Sequence, residues 1–233
     1  MIVCPVCRHS NDDFSIKCTS CGSFIQDRVP NLDLFSQIWL MIESPEDGFR
    51  RVIIAEHKNF VLFLSTFLGI AAAFTLFWAK NSGNSFDNLF PLLLLGIVMG
   101  LIIGIPVFFG LTGIAFGFSS ALKGRGSFKE TYGVVGWSLV PIVLSVVFVL
   151  PLELGTLGLV LFSSNPSAFE MKPVVTMVLL GLDGAAVVWS MLLAAKGISM
   201  VHRFRFITAL MIAVLSAAGV SYISFLLYSL FNI

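Results

Sequence analysis

Leu89-Phe-Pro-Leu-Leu-Leu-Leu-Gly96-Ile-Val-Met-Gly100-Leu-Ile-Ile-Gly104-Ile-Pro106-Val-Phe-Phe-Gly-Leu-Thr-Gly-Ile-Ala-Phe-Gly-Phe118 runs thirty residues without a charge. A hydrocarbon core about 30 Å thick needs roughly 20 apolar residues of helix, so this stretch crosses a membrane with length to spare. Four more runs of the same kind lie at 60–79, 132–152, 174–195 and 206–231, with polar residues between them. The whole chain agrees: its 233 residues are 57% hydrophobic and only 12% charged, with mean hydropathy +0.96. The fold expected is all-α and polytopic, with five transmembrane helices. Residues 154–162 are apolar but too short to cross alone; they either extend the third span or lie along the far interface.

The cations lie in alternate loops. Arg8, Lys17, Arg28, Arg50, Arg51 and Lys58 precede the first span; Lys123, Arg125 and Lys129 follow the second; Lys196, Arg203 and Arg205 follow the fourth. The intervening loops hold only Lys80 and Lys172. Because basic loops stay on the cytoplasmic side, the N-terminus is expected in the cytoplasm and the C-terminus outside. The chain opens on cysteines and polar residues in place of a basic cap and apolar run, so no secretory signal is expected. With a net charge of +1 there is no basic excess to recruit nucleic acid.

The four cysteines fall in one pattern, Cys4-Pro-Val-Cys7 and Cys18-Thr-Ser-Cys21. Two Cys-x-x-Cys knuckles supply four thiolates, a closed tetrahedral shell of the kind structural Zn²⁺ takes. A disulfide pair is the alternative, disfavoured in a reducing cytoplasm; a redox dithiol lacks its βαβ setting. His9 reads as a turn residue, since the shell is already full. Asn11-Asp12-Asp13 marks the turn between two short hairpins. Seven apolar side chains (Ile2, Val3, Val6, Phe14, Ile16, Phe24 and Ile25) are too few to fold 25 residues unaided, so the metal is expected to be structural. Residues 1–25 are thus a zinc ribbon, 26–58 a linker with amphipathic helices, and 59–233 the membrane domain.

Within the linker, Leu34, Phe35, Ile38, Trp39 and Ile42 recur at helical spacing. Ser44-Pro45-Glu46-Asp47 then starts a second helix, with serine to cap, proline at the first position and acids at the positive end. Phe49, Val52, Ile53 and Glu56 follow on one face. These helices either lie along the leaflet, with Arg50, Arg51 and Lys58 at anionic headgroups, or pack on the ends of the spans. Both can hold together.

Gly96, Gly100 and Gly104 form two G-x-x-x-G steps, and Gly113 to Gly117 a third, a stripe that lets helix backbones approach. It serves packing within the bundle or a homodimer seam. Pro106 is expected to kink this helix or its end to project, and Pro141 to kink the third span. Lys123-Gly-Arg-Gly-Ser-Phe-Lys129 lacks the order of a phosphate-binding loop. Its cations, Lys123, Arg125 and Lys129, are headgroup candidates or a solvated loop. Ser127 and Glu130 read as a capping box. Asp183 is the one acid expected near the middle of a span. It is either a protonated packing residue, bonded to a close backbone or to Ser138 or Ser145, or part of a conduction or switching path. No second aspartate supports an intramembrane protease, Gly117-Phe-Ser119-Ser-Ala121 is not G-x-S-x-G, and no H-E-x-x-H occurs.

Trp39 with Ser44-Pro45-Glu46-Asp47-Gly48-Phe49, Leu122-Lys-Gly-Arg-Gly-Ser-Phe128, Gly136-Trp-Ser-Leu-Val-Pro141 and Trp189-Ser190 with Gly197-Ile198 together resemble the Yip family of five-span membrane proteins. The resemblance covers roughly residues 35–233; the first 25 are similar to short zinc ribbons on many bacterial membrane proteins. It implies a helical bundle with a cytoplasmic N-terminus and no catalytic residues to carry over. Eukaryotic relatives are associated with Rab GTPases and vesicle traffic, a role not expected beside a ribbon of prokaryotic type.

The expected function is a non-enzymatic scaffold of the bacterial cytoplasmic membrane, whose ribbon docks a cytoplasmic partner or its own bundle and so organises membrane or protein assemblies. Its partners would be membrane lipids and a cytoplasmic or membrane protein. The alternative is a small transporter or channel using Asp183.

Overall fold

A computed structural model of the chain describes residues 1–27 and 29–231, with side chains through Ser224. Arg28 and the C-terminus, both used in the orientation argument, lie outside the described residues. Strands β1 (Ile2–Val3) and β2 (Ser10–Asn11) pair antiparallel, Ile2 opposite Asn11, and an isolated bridge joins Lys17 to Phe24. Among the apolar side chains expected to fold the ribbon, Val3, Val6 and Phe24 are exposed. Phe14 leaves the ribbon altogether and packs against the core of the bundle. The module thus has little apolar interior of its own.

Helix α1 (Leu34–Glu43) starts where Asp33 accepts the backbone N–H of Ser36 at 2.8 Å. It turns Gln37 and Met41 inward, while Phe35, Trp39 and Ile42 are exposed. Helix α2 (Pro45–Ile54) follows directly, with Pro45 in its first turn and Glu46 and Asp47 at its positive end. The Ser44 hydroxyl makes no cap bond, so proline and the two acids start this helix without it. Phe49, Val52 and Ile53 are buried in the bundle core. The two readings of the linker therefore divide between its helices: α2 packs on the spans, and α1 presents an apolar face outward.

Five helices are long and apolar enough to cross a membrane. The first two, α3 (Val61–Ala79) and α4 (Leu89–Ala121), form a close hairpin. A Cβ on Gly100 would stand 2.5 Å from Ile70 Cα, one on Gly104 2.5 Å from Ser65 O, and one on Gly96 2.7 Å from the Phe74 ring. That stripe seats the backbone of α4 on α3 of the same chain. Gly113 and Gly117 have nothing within 4 Å, so the third step is no seam in this chain. Helix α4 runs unbroken through Pro106 for 33 residues, about 50 Å at 1.5 Å per residue.

The third span is composite. Helix α5 (Phe128–Trp137) begins with the Ser127–Glu130 capping box, then breaks at Ser138 and Leu139 ahead of Pro141. Helix α6 (Val140–Leu144), a π-helical turn (Ser145–Val149) and α7 (Leu150–Thr156) complete the crossing. Leu154 thus lies within the span. A 3₁₀ turn (Gly158–Phe162) then folds back, burying Leu157, Leu161 and Phe162 against Phe74, Phe77, Leu92 and Leu179. This resolves residues 154–162: they extend the span and then plug its end. The short α8 (Ala168–Met171) leads into α9 (Pro173–His202) and α10 (Phe206–Phe231). Two apolar clusters result, one at the ribbon end, centred on Phe49, Trp137 and Ile198, and one at the opposite end, around Phe74 and Phe162.

Candidate metal centre and ribbon seat

The thiol sulfurs of Cys4, Cys7, Cys18 and Cys21 all lie within 4.8 Å of one another. Cys4 and Cys21 are 3.7 Å apart and Cys7 and Cys18 3.5 Å. A tetrahedral ion with bonds of about 2.3 Å sets sulfur–sulfur edges of about 3.8 Å, so the four thiols fit such an ion. All four cysteines are free, and these separations are far beyond a disulfide bond. Donors already point at the sulfurs. The backbone N–H of Cys7 and the Ser23 hydroxyl, 3.2 Å away, pull the Cys4 thiol down to about 6. The backbone N–H of Cys21 lowers Cys18 in the same way, and the Asn11 amide reaches the Cys18 sulfur at 3.6 Å. Asn11 also accepts the Thr19 N–H at 2.9 Å, which ties the first hairpin to the second knuckle. Such a shell can hold a metal and leaves no ligand position for substrate.

The ribbon is seated on its own bundle. Arg203 ends α9 in the left-handed conformation, φ 60°. Its guanidinium reaches Asp12 Oδ1 at 2.8 Å and Asp13 Oδ2 at 3.0 Å, and lies 4.9 Å from the centre of the Phe14 ring. The N-terminal ammonium, followed by Arg203, holds the Asp13 carboxyl below the usual range. Arg50 adds a bond to Gln26 Oε1 at 3.1 Å. Between ribbon and bundle remains an open cleft of about 340 Å³, lined among others by Asp12, Asp13, Lys123, Arg125, His202 and Arg203.

The loop 122–127 is built against His202. The His202 Nδ1 accepts the Gly126 N–H at 3.3 Å, so Nε2 carries the ring proton and donates to Thr131 Oγ1 at 2.9 Å. A Cβ on Gly124 would stand 2.5 Å from Nδ1, and one on Gly126 would strike Val201. These two glycines therefore exist for close approach, not for a phosphate. Lys196 meets Glu46 at 2.8 Å and ties α2 to α9.

Of the cations expected at headgroups, Arg51, Lys123 and Arg125 are exposed, the last two at the rim of the cleft between ribbon and bundle. Lys58 is not at that surface. Its ammonium donates to the carbonyls of Val52, Ile53 and Ala55, closing the C-terminus of α2. Lys129 likewise donates to the Glu56 carbonyl at 2.6 Å.

Asp183 is not alone in the membrane. Ser145 donates its hydroxyl to Asp183 Oδ1, and the carboxyl of Glu153 lies against Asp183. Glu153 is only 3% exposed, and its Oε1 has no hydrogen-bond partner among the described residues. Ending the third span at 152 hides this residue; the π-helical turn carries the helix on to Thr156 and the glutamate inside with it. Gly181 and Gly184 have nothing within 4 Å, so Asp183 is satisfied by side chains and not by a close backbone.

The Yip1 domain matches residues 39–228, from within α1 to near the end of α10, and leaves the ribbon outside. No curated protein and no solved structure matches the chain. Five apolar helices in one bundle, the linker helix α2 packed on it and this match over most of the length make the chain an integral membrane protein of the Yip1 domain family.

Proposed function

We propose that this chain is a non-enzymatic scaffold of the bacterial cytoplasmic membrane, whose Zn²⁺-stapled ribbon faces the cytoplasm and docks a protein partner. The observation that carries the reading is the Arg203 fork to Asp12 and Asp13: the ribbon is held at a fixed attitude on the span ends, as a docking platform requires. Zinc is the metal favoured by four thiolates in a closed shell. The cytoplasmic address rests on the Lys/Arg asymmetry of the loops. Phe35, Trp39 and Ile42 of α1 would enter the leaflet, with Arg51, Lys123 and Arg125 as the exposed cations available to anionic headgroups.

Crosslinking with mass spectrometry in native membranes tests the docking role. Protein neighbours captured by the intact chain should be lost with Cys18→Ser while the spans still insert. An unchanged set of neighbours would remove the ribbon from the function. A C-terminal reporter that reads cytoplasmic would overturn the orientation.

A further inference from the structure

We propose that Glu153 and Asp183 form an intramembrane proton-binding site, in which two carboxyl groups share one exchangeable proton between the third and fourth spans. The site is independent of the ribbon and lies toward the opposite end of the bundle. Its two acids come from different helices, α7 and α9, and their carboxyl groups lie against each other within the spans. Two carboxylates in such contact, away from water, repel each other and lose hydration together. A single proton removes the repulsion and supplies the O–H that joins them.

The surroundings assign the proton. Asp183 Oδ1 already accepts the Ser145 hydroxyl, so this carboxyl has a donor without a proton of its own. Glu153 is 3% exposed, and its Oε1 meets no donor among the described residues. An ionised glutamate in that position would be a buried charge with one oxygen unsatisfied. A protonated one donates to Asp183 and leaves only a carbonyl oxygen free. Among the described residues no basic group compensates instead. Helices α3 and α6, the π-helical turn and the 3₁₀ turn contain no charged residue. On α9 the only charged or titratable groups besides Asp183 are Lys196 and His202 at its far end. The nearest cation along the chain is Lys172, whose ammonium is already on the Thr156 carbonyl at 2.7 Å.

The π-helical turn Ser145–Val149 is what brings the three groups together. It re-aims α7 after Ser145, so that Ser145 and Glu153 both reach Asp183 from one span, a use to which such turns are commonly put. Proton occupancy then governs how closely α7 packs on α9: with the proton the two are bonded, without it two anions push them apart.

Infrared spectroscopy of the full chain in phosphatidylcholine vesicles tests the proposal. Near neutral pH the wild type should show a protonated-carboxyl C=O band that shifts in D₂O and disappears reversibly when the medium is made alkaline. Glu153→Gln, which keeps shape and a donor, should abolish the band, and Asp183→Asn should shift its frequency by replacing the charged acceptor. Absence of the band in the inserted wild type would overturn the proposal, as would a band unmoved by Asp183→Asn. Loss of the band on adding sodium at fixed pH would also overturn it as a site dedicated to the proton. None of these readouts involves ribbon docking.

Discussion

Arg203 Nη1 stands 3.0 Å from Asp13 Oδ2, a contact between residues 190 positions apart. Both groups are partly exposed, and exposed pairs contribute only about 0.2–1 kcal/mol each. Three modest contacts act together here: two carboxylates and the Phe14 ring, the last worth about 0.5–1 kcal/mol at an exposed site. Arg203→Gln should therefore shift the seated ribbon toward the unseated by about tenfold. Hydrogen exchange is expected to rise in residues 10–16 while metal content is the same as in the wild type. Unchanged exchange would mean the fork does not hold the ribbon.

Metal removal should act on the ribbon alone. With little apolar interior, the ribbon is expected to depend on a metal held by its four thiols, since a structural metal supplies most of the folding free energy of such modules. A chelator is expected to expose all four cysteines to a thiol reagent, and every thiol in the chain belongs to this site. Far-ultraviolet circular dichroism should keep its helical signal, because the bundle core includes only Phe14 from the ribbon. Concerted loss of helix would show that the ribbon supports the spans.

What was legible in the sequence was what local spacing encodes. The knuckles of Cys4 to Cys21, the capping box at Ser127 and the five apolar runs each sit within a few tens of residues. Contacts across the chain were not: Arg203 to Asp12, Lys196 to Glu46 and His202 to Gly126 join residues with no pattern between them. Glu153 escapes a sequence reading for a narrower reason. An apolar run ending at 152 looks like the end of a span, and only the π-helical turn and the plug at Leu161 and Phe162 bury the residue after it. Lys58 reads as a headgroup cation because sequence does not distinguish an exposed lysine from one folded back on its own helix.

The glycines of α4 separate into two classes with opposite expected effects. Gly100→Val drives side-chain atoms into the Ile70 backbone, and overpacking costs about 1–3 kcal/mol or more where backbone must move. Gly113→Ala and Gly117→Ala meet nothing and should be neutral or stabilising by about 0.5–1 kcal/mol through helix propensity. Thermal unfolding in detergent compares them. Equal destabilisation at Gly100 and Gly117 would mean that both ends of α4 are packing seams.

Lys58 gives the bundle a pH dependence of predictable sign. Burial, the largest influence, pushes its amine from 10.5 down to about 8, with Lys129 adding to the effect and Glu130 opposing it. The folded chain therefore binds fewer protons than the unfolded chain between about 8 and 10.5. Stability then rises with pH across that window, and the gain is lost as pH falls through about 8. Lys58→Met keeps the stem and removes the donor. It should cost about 1–3 kcal/mol by leaving the Val52, Ile53 and Ala55 carbonyls without it. The difference between wild-type and Lys58→Met unfolding free energies isolates this lysine from every other titrating group. That difference should grow in the wild type's favour with rising pH across the same window; a flat difference would mean that Lys58 stays protonated on its three carbonyls throughout.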